Sequence, residues 1–365
     1  MKLLYITNGI NGAGGLERVL SIKASYLAEH YGYELHILTL NETDKDSFYD
    51  FSSKVILHSI RVEGNPIHYF REYRNGIRKM VKELQPDVIS VCDDGLKGFF
   101  LPILLGKPCP MIYERHVSKE IEMNVNFSFL KKKTIQLKWV LMEKLAGFFS
   151  KFIVLTKGNL EEWKSLTNSM VIANPTSFYP TESASLTNKK VIAVGKQGYQ
   201  KGYDRLLQAW QSVNKKNPEW RLEIYGTIAP QEKLQEQAYQ LKIKNSVSFY
   251  SPEKDIQSKY VEASIYVMPS RFEGFGMVLI EAMACGVPCV SFDCPYGPSD
   301  IIANEMDGLL VTNGDTQALA KAIIQLIENE ELRKSMGAKA KVNVQRFLPE
   351  IIVKEWDNLF KSLVQ

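Results

Sequence analysis

Short apolar runs alternate with amphipathic stretches along the whole chain, and this alternation restricts the fold more than any other feature. In the first half, runs typical of strands lie at 3–6, 34–40, 55–59, 88–91, 111–113 and 152–155. Helical patterns lie between them at 16–31 and 70–84. Strands that alternate with helices form parallel sheets covered on both faces. The sequence therefore predicts a doubly wound α/β fold.

The alternation begins again in the second half. Strands are predicted at 191–194, 222–225, 247–250, 265–268, 287–291 and 309–311, and helices at 202–214, 231–241, 276–284 and 316–328. The Ser/Thr/Pro/Asn stretch 176–188 is typical of a linker. With 365 residues, we predict two Rossmann-like domains facing each other across a cleft. The first domain comprises residues 1–172 together with the last helix, 349–365. The second domain comprises residues 173–348.

Composition and charge exclude several classes of protein. The net charge of +4 is too small to indicate a nucleic-acid binder. No stretch approaches the ~20 apolar residues of a transmembrane helix, and the start lacks the features of a cleavable signal peptide. The five cysteines form no C-x-x-C pair, and Cys285, Cys289 and Cys294 suit buried thiols better than a zinc site. We predict a reduced, cytoplasmic protein.

Segment 269–288 carries the strongest chemical signal, PSRFEGFGMVLIEAMACGVP. It runs from a strand through a glycine turn into a helix, whose N-terminus suits an anion such as a diphosphate. Glu273 precedes this helix and Glu281 lies within it. A carboxylate accepts hydrogen bonds from vicinal hydroxyls, which suggests a sugar at one residue and a ribose at the other. An ordinary surface pair of glutamates is the alternative.

A second loop, after strand 191–194, carries Lys196 and Lys201. Both ammonium groups can reach a diphosphate. They would stabilise the negative charge of a bound diphosphate. Two solvated loop lysines are the alternative.

Segment 269–288 resembles the E-x7-E signature of family 4 retaining glycosyltransferases, which have the GT-B fold, and its G-F-G and A-x-x-C-G-x-P-C-V elements match as well. The resemblance implies that Glu281 holds the nucleotide ribose and Glu273 the donor sugar. The backbone of Phe275, Gly276, Met277 and Val278 would meet sugar and phosphate. The first domain would bind the acceptor and the second the donor. The family usually has Arg where Lys196 stands. Because a lysine cannot form the two parallel hydrogen bonds of an arginine, this contact with the phosphate would be weaker.

The first domain offers two further candidates. A dinucleotide fingerprint fails because Glu17 occupies the place of its third glycine. Gly14 and Gly15 instead resemble the family's glycine-rich loop, which faces the donor phosphates, although a plain glycine turn is possible. His116 follows strand 111–113, where the family has a histidine that touches the transferred sugar and the acceptor; a structural histidine is the alternative. Asp93-Asp94 is not a D-x-D motif, and the family generally works without a metal.

The resemblance implies retaining transfer of a hexose or N-acetylhexosamine from a nucleotide-diphosphate sugar, with UDP as the expected nucleotide. The acceptor would be a hydroxyl of a glycan or lipid-linked molecule in cell-surface polysaccharide synthesis. No cofactor beyond this co-substrate and no metal is expected. Alternatives are a nucleotide-sugar epimerase or phosphorylase of the same fold, and a non-catalytic nucleotide-binding or assembly subunit. A nicotinamide oxidoreductase is disfavoured by the failed fingerprint.

The stretch 119–151 is basic and rich in apolar residues. Between Arg115 and Lys157 nine basic residues face three acidic ones, interleaved with aromatic and aliphatic side chains from Phe127 to Phe149. One interpretation is a helix at an anionic membrane surface, peripheral on its inner face. The other is that the apolar side chains pack in the core while the lysines are solvated.

Overall fold

A computed structural model describes residues 1–42, 47–93, 95–123 and 127–364, so Asp94 of the Asp93-Asp94 pair lies outside the described residues. The chain divides into two compact units. The first is Met1–Pro175 together with Pro349–Gln365, and the second is Thr176–Leu348. The sequence placed this division after residue 172.

Each unit contains one parallel sheet. The first has β1 (Lys2–Thr7), β2 (Glu34–Leu40), β3 (Val55–Ile60), β4 (Val88–Cys92), β5 (Met111–Glu114), β6 (Lys151–Val154) and β7 (Ser169–Val171). The second has β8 (Lys190–Val194), β9 (Arg221–Tyr225), β10 (Val247–Tyr250), β11 (Ile265–Met268), β12 (Cys289–Asp293) and β13 (Gly308–Thr312). The strand orders are β3-β2-β1-β4-β5-β6-β7 and β10-β9-β8-β11-β12-β13. The order in which successive strands join each parallel sheet therefore reverses between β1 and β4 and between β8 and β11. Ligands bind at such switch points in open α/β sheets.

Helices connect the strands. They are α1 (Gly15–His30), α2 (Pro66–Leu84), α3 (Leu96–Phe99), α4 (Leu101–Leu105), α5 (Phe129–Ala146), α6 (Lys157–Glu162), α7 (Tyr203–Lys216), α8 (Leu234–Gln240), α9 (Ile256–Val261), α10 (Met277–Ala284), α11 (Pro298–Ile301), α12 (Thr316–Glu328), α13 (Glu330–Asn343) and α14 (Pro349–Val364). Helix α14 packs against α1 in the first unit. Within the described ranges, no helix combines the length and apolar character needed to cross a membrane.

The predicted doubly wound fold is confirmed, with local differences. Strand β12 begins at Cys289 rather than at residue 287, because Pro288 has no N–H to donate to a sheet. Cys285, Cys289 and Cys294 are buried free thiols, as predicted. Helix α13 was not predicted.

Residues 176–188, predicted as a linker, belong to the second unit. Thr176 and Leu186 are buried. The Ala184 N–H donates to the Cys285 carbonyl over 2.8 Å, and Arg333 Nε donates to the Leu186 carbonyl over 3.0 Å. The prediction was wrong because a Ser/Thr/Pro-rich composition indicates a lack of regular structure, whereas burial depends on partners elsewhere in the chain.

Candidate active site

The switch point of the second sheet brings Lys201 and Glu273 together. Lys201 lies in the turn after β8, and Glu273 lies between β11 and α10. Lys201 Nζ is 2.7 Å from Glu273 Oε1, and the Ser270 hydroxyl donates to the same oxygen over 2.5 Å. Glu273 is buried. Two of the predicted site residues therefore form one ion pair.

Arg271 holds the two loops against each other. Its guanidinium binds the Asp204 carboxylate through two hydrogen bonds of 2.8 and 2.6 Å, and Nη1 also donates to the Tyr199 carbonyl over 2.7 Å. Burial raises the pKa of Asp204, but the hydrogen bond and charge of Arg271 outweigh it and lower that pKa. A bidentate pair of this kind restricts geometry as well as adding energy. Arg271 was not predicted as a site residue, although it stands beside Glu273 in the motif.

Glycines allow a close approach at two positions. Gly202 has a φ of +66°, and a Cβ there would collide with the Pro269 carbonyl oxygen. Gly276 has a φ of +103° and precedes α10, which receives no side-chain cap from the described residues. Phe275 is buried, whereas Met277 and Val278 are partly exposed. The first N–H groups of α10 therefore form a candidate anion site next to Glu273.

Glu281 is buried inside the second unit, apart from the Lys201–Glu273 pair. The Ser177 hydroxyl donates to its Oε1 over 2.9 Å, and the Tyr260 hydroxyl donates to its Oε2 over 3.3 Å. Burial raises the pKa of Tyr266 well above its usual range, and the charges of Glu273 and Glu281 add to this effect. The charges of both carboxylates therefore help to raise the pKa of the same buried tyrosine, Tyr266. Ser177 and Tyr260 lie far from Glu281 in the sequence, and no motif indicated that they contact it.

Lys196 is exposed on the loop after β8 and forms no ion pair with any described residue. Its neighbour Gln197 is buried. Gln197 Nε2 donates to the Gly226 carbonyl over 3.2 Å and to the Tyr250 carbonyl over 3.3 Å. This anchor, which the sequence did not reveal, holds the loop that presents Lys196.

The glycine loop of the first unit leaves Gly14 and Gly15 exposed at the start of α1. Glu42 supports the loop by accepting hydrogen bonds from the Ile10 N–H over 2.7 Å and the Asn11 N–H over 3.2 Å. No sequence motif indicated that Glu42 supports this loop.

His116 follows β5 and contacts a buried ion pair. Its Nε2 is 3.3 Å from Glu114 Oε2. Glu114 also pairs with Lys23 and accepts a hydrogen bond of 2.5 Å from the Ser90 hydroxyl. Burial opposes ionisation of Glu114, but the charge of Lys23, with His116 adding to it, lowers its pKa to about 2. Glu114 is therefore a carboxylate at neutral pH and orients the His116 ring.

Lys23 is fully buried, and its Nζ lies 3.9 Å from the centre of the Trp356 ring on α14. No sequence motif indicated Lys23 or Trp356 as part of the site. Glu114 could have been found, because it stands two positions before His116 in the sequence. Gly14, Gly15 and His116 thus belong to the first unit, and the other predicted site residues to the second.

One group of described residues has metal-ligand spacing. Potential ligand atoms of Cys92, Glu114 and His116 all lie within 4.8 Å of one another. Glu114 already pairs with the Lys23 ammonium. Burial, together with the charge of Glu114, holds the pKa of Cys92 well above its usual range. A protonated thiol and a neighbouring ammonium disfavour a cation here, and metal independence stays a prediction.

Two family models match the chain. The model described as glycosyl transferases group 1 matches residues 179–343, and the one described as glycosyl transferase 4-like matches residues 16–145. An uncharacterized glycosyltransferase of Haemophilus influenzae is 30% identical and aligns over 98% of this chain and 99% of its own length. The amylovoran biosynthesis glycosyltransferase AmsD of Erwinia amylovora is also 30% identical, over 98% of this chain and 99% of its own.

Solved structures share the fold. Sucrose-phosphate synthase from Thermosynechococcus elongatus has a TM-score of 0.84 at 18% identity and covers 99% of this chain and 98% of its own. Anabaena Alr3699/HepE in complex with UDP-glucose has a TM-score of 0.79 at 20% identity, with 100% of both chains covered. The likeness confirms the predicted GT-B fold.

Proposed function

Because this chain belongs to the group 1 glycosyltransferases, the family 4 type with the GT-B fold, we propose that it is a retaining enzyme that uses a UDP-sugar. It would transfer a hexose or N-acetylhexosamine to a hydroxyl of a glycan or lipid-linked acceptor in cell-surface polysaccharide synthesis. The biosynthetic role in the name of AmsD and the UDP-glucose bound by the Anabaena neighbour support this. The observation that carries the proposal is the Lys201–Glu273 pair at the switch point, beside the start of α10.

The donor diphosphate would bind at the start of α10. There it would compete with Glu273 for Lys201 Nζ, while Lys196 supplies a second cation from the same loop. As the bond between the anomeric carbon and the β-phosphate oxygen breaks, negative charge grows on that phosphate. Two ammonium groups and the N–H groups of α10 would stabilise this charge. The proposed reaction therefore does not require a metal ion.

The two glutamates would bind the two sugars of the donor. Within the described chain, both hydrogen bonds to Glu273 end on Oε1, so Oε2 would accept from a hydroxyl of the transferred sugar. Glu281, whose carboxylate Ser177 and Tyr260 hold in place, would bind the ribose. The backbone at 275–278 would meet sugar and phosphate.

Retention would follow from attack on the face that the phosphate leaves. The acceptor oxygen would form its bond to the anomeric carbon as the phosphate bond breaks, and the acceptor proton would pass to a phosphate oxygen. Positioning and charge stabilisation would supply most of the rate enhancement. His116, oriented by Glu114, would contact the transferred sugar and the acceptor, and the loop at Gly14 and Gly15 would face the donor phosphates.

The test is to incubate the full chain with a panel of UDP-, GDP-, ADP- and dTDP-sugars and to measure nucleotide release with and without EDTA. We expect UDP release that chelation leaves unchanged, and a product whose anomeric configuration, read by NMR, matches the donor. Nucleotide binding without release, under all acceptor conditions, would instead indicate a binding subunit. Sugar interconversion without release would indicate an epimerase.

We propose that the enzyme works in the cytoplasm, in line with its buried free thiols. A lipid-linked acceptor would bring it to the inner face of a membrane.

A further inference from the structure

Helix α5 has two apolar faces. Met142, Leu145 and Ala146 are buried. The exposed apolar residues of the helix are Phe129, Leu130, Leu137, Val140 and Leu141. Because successive residues turn by roughly 100°, these five fall within an arc of roughly 120°, opposite the buried face. Phe129, Leu130 and Leu137 are 72%, 76% and 71% exposed, so core packing, one of the two interpretations of this stretch, is wrong for this face.

The exposed face borders an apolar groove. Leu137, Val140 and Leu141 line it together with Leu96 of α3, and its volume is about 500 Å³. Lys138 and Lys144 also border it. A groove lined by exposed apolar side chains and bordered by lysines is a candidate interaction surface.

The charges around this face are mostly positive. Helix α5 contains five lysines and one glutamate. The glutamate, Glu143, is held by Lys119 over 2.6 Å and by the Ser165 hydroxyl over 2.8 Å. Lys133 and Lys144 fall within the same arc as the exposed apolar residues. A second copy of this chain would bring like charges together, whereas an anionic lipid surface complements them.

We propose that α5 lies flat on an anionic phospholipid bilayer, through the exposed apolar arc defined above. Phe129, Leu130 and Leu137 would enter the boundary between headgroups and acyl chains, and the groove would take part of an acyl chain. The lysines would lie among the lipid phosphates. With 18 residues, the helix is about 27 Å long and too charged to span a bilayer. This inference rests on the proposed function only for the lipid-linked acceptor that would make such docking useful.

The first test uses co-sedimentation of the full chain with phosphatidylcholine vesicles, with and without phosphatidylglycerol, at low salt. We expect binding that requires phosphatidylglycerol. The triple variant Phe129→Ser, Leu130→Ser and Leu137→Ser should bind on the order of a hundredfold more weakly, because it removes most of the inserted apolar surface. The matched control is Ile67→Ser with Val342→Ser, which alters side chains that are 84% and 67% exposed elsewhere. All of these side chains are exposed, so the thermal midpoint of each variant should stay near that of the wild type.

The second test removes charge. Lys133→Gln with Lys144→Gln should weaken binding on the order of tenfold, and added salt should weaken wild-type binding as well. Lys215→Gln with Lys339→Gln, exposed lysines of the second unit, should leave binding unchanged.

Three outcomes would overturn the proposal. The first is that the wild type does not bind phosphatidylglycerol vesicles at low salt. The second is that the apolar triple variant binds these vesicles as tightly as the wild type. The third is that the wild type binds no vesicles but is a dimer in sedimentation velocity, and the triple variant is a monomer. Vesicle binding needs no turnover. A chain that binds vesicles but releases no nucleotide would leave this proposal standing while the proposed function failed.

Discussion

Replacing Lys201 by alanine separates a structural from a chemical role at the switch point. Lys201 Nζ lies 2.7 Å from Glu273 Oε1, and the two side chains are 18% and 6% exposed. Among the described residues, the variant leaves the Glu273 carboxylate with the Ser270 hydroxyl as its remaining side-chain donor. A buried acceptor that loses its partner costs about 1–3 kcal/mol in the free energy of unfolding. At roughly 2–4 °C per kcal/mol, the thermal midpoint of the second unit should fall by several degrees.

The effect on turnover should be larger. Lys201 is proposed to meet the charge that grows on the β-phosphate, and removing one such donor costs about 3 kcal/mol in the transition state, a reduction of about a hundredfold in kcat. Affinity for UDP should change less, because the contact strengthens as the leaving group forms. The assay is steady-state UDP release with the best donor of the panel, beside scanning calorimetry of the same protein.

A double variant distinguishes the two roles. Glu273→Gln removes the charge that needs Lys201, so Lys201→Ala combined with Glu273→Gln should recover much of the thermal midpoint but none of the turnover. Lys215→Ala on α7 serves as the control for losing an exposed lysine. Unchanged kcat in Lys201→Ala, or recovered turnover in the double variant, would refute a role for Lys201 in leaving-group stabilisation.

Three further predictions concern binding, pH and backbone. Glu281→Gln should weaken UDP binding about tenfold, since one charge-assisted hydrogen bond to the ribose is lost; unaltered affinity in calorimetry would contradict this. Glu114→Gln removes the carboxylate that pairs with buried Lys23 and should cost about 3–5 kcal/mol at neutral pH. The folded pKa of Glu114, about 2, lies below its ordinary 4.5. This stabilisation is therefore complete above pH 4.5 and is lost as pH falls toward 2, so a constant difference in thermal midpoint between wild type and variant from about pH 6 to 3 would refute it. Gly202→Ala should lower the thermal midpoint by several degrees, whereas Gly198→Ala, where a Cβ meets open space, should not.

Much of the fold was predictable because it depends on local pattern. Most strand predictions lie within a residue or two of the observed bounds, since apolar runs between turn residues read as buried strands. The start of α10 was predictable because Gly274 and Gly276 form a turn immediately before an apolar helical run. Residues 176–188 were misjudged, because their burial depends on partners such as Cys285 and Arg333.

Helix α5 shows a second limit of pattern. Its apolar residues cover both the buried and the exposed arc, so periodicity alone did not distinguish core packing from a docking surface. The exposures of Leu130 and Leu137 separate the two, and these depend on which face of the helix meets the core.

The sequence alone determined the fold class, the family and the candidate carboxylates and lysines, because these follow from residue type and short-range spacing. The tertiary structure decided which of them meet. Lys201 and Glu273 touch because β8 and β11 are neighbours in the sheet, and His116 is oriented because Lys23 on α1 pairs with Glu114 on β5. Strand order and buried charge pairing join residues far apart in the chain, and no local pattern records such distances.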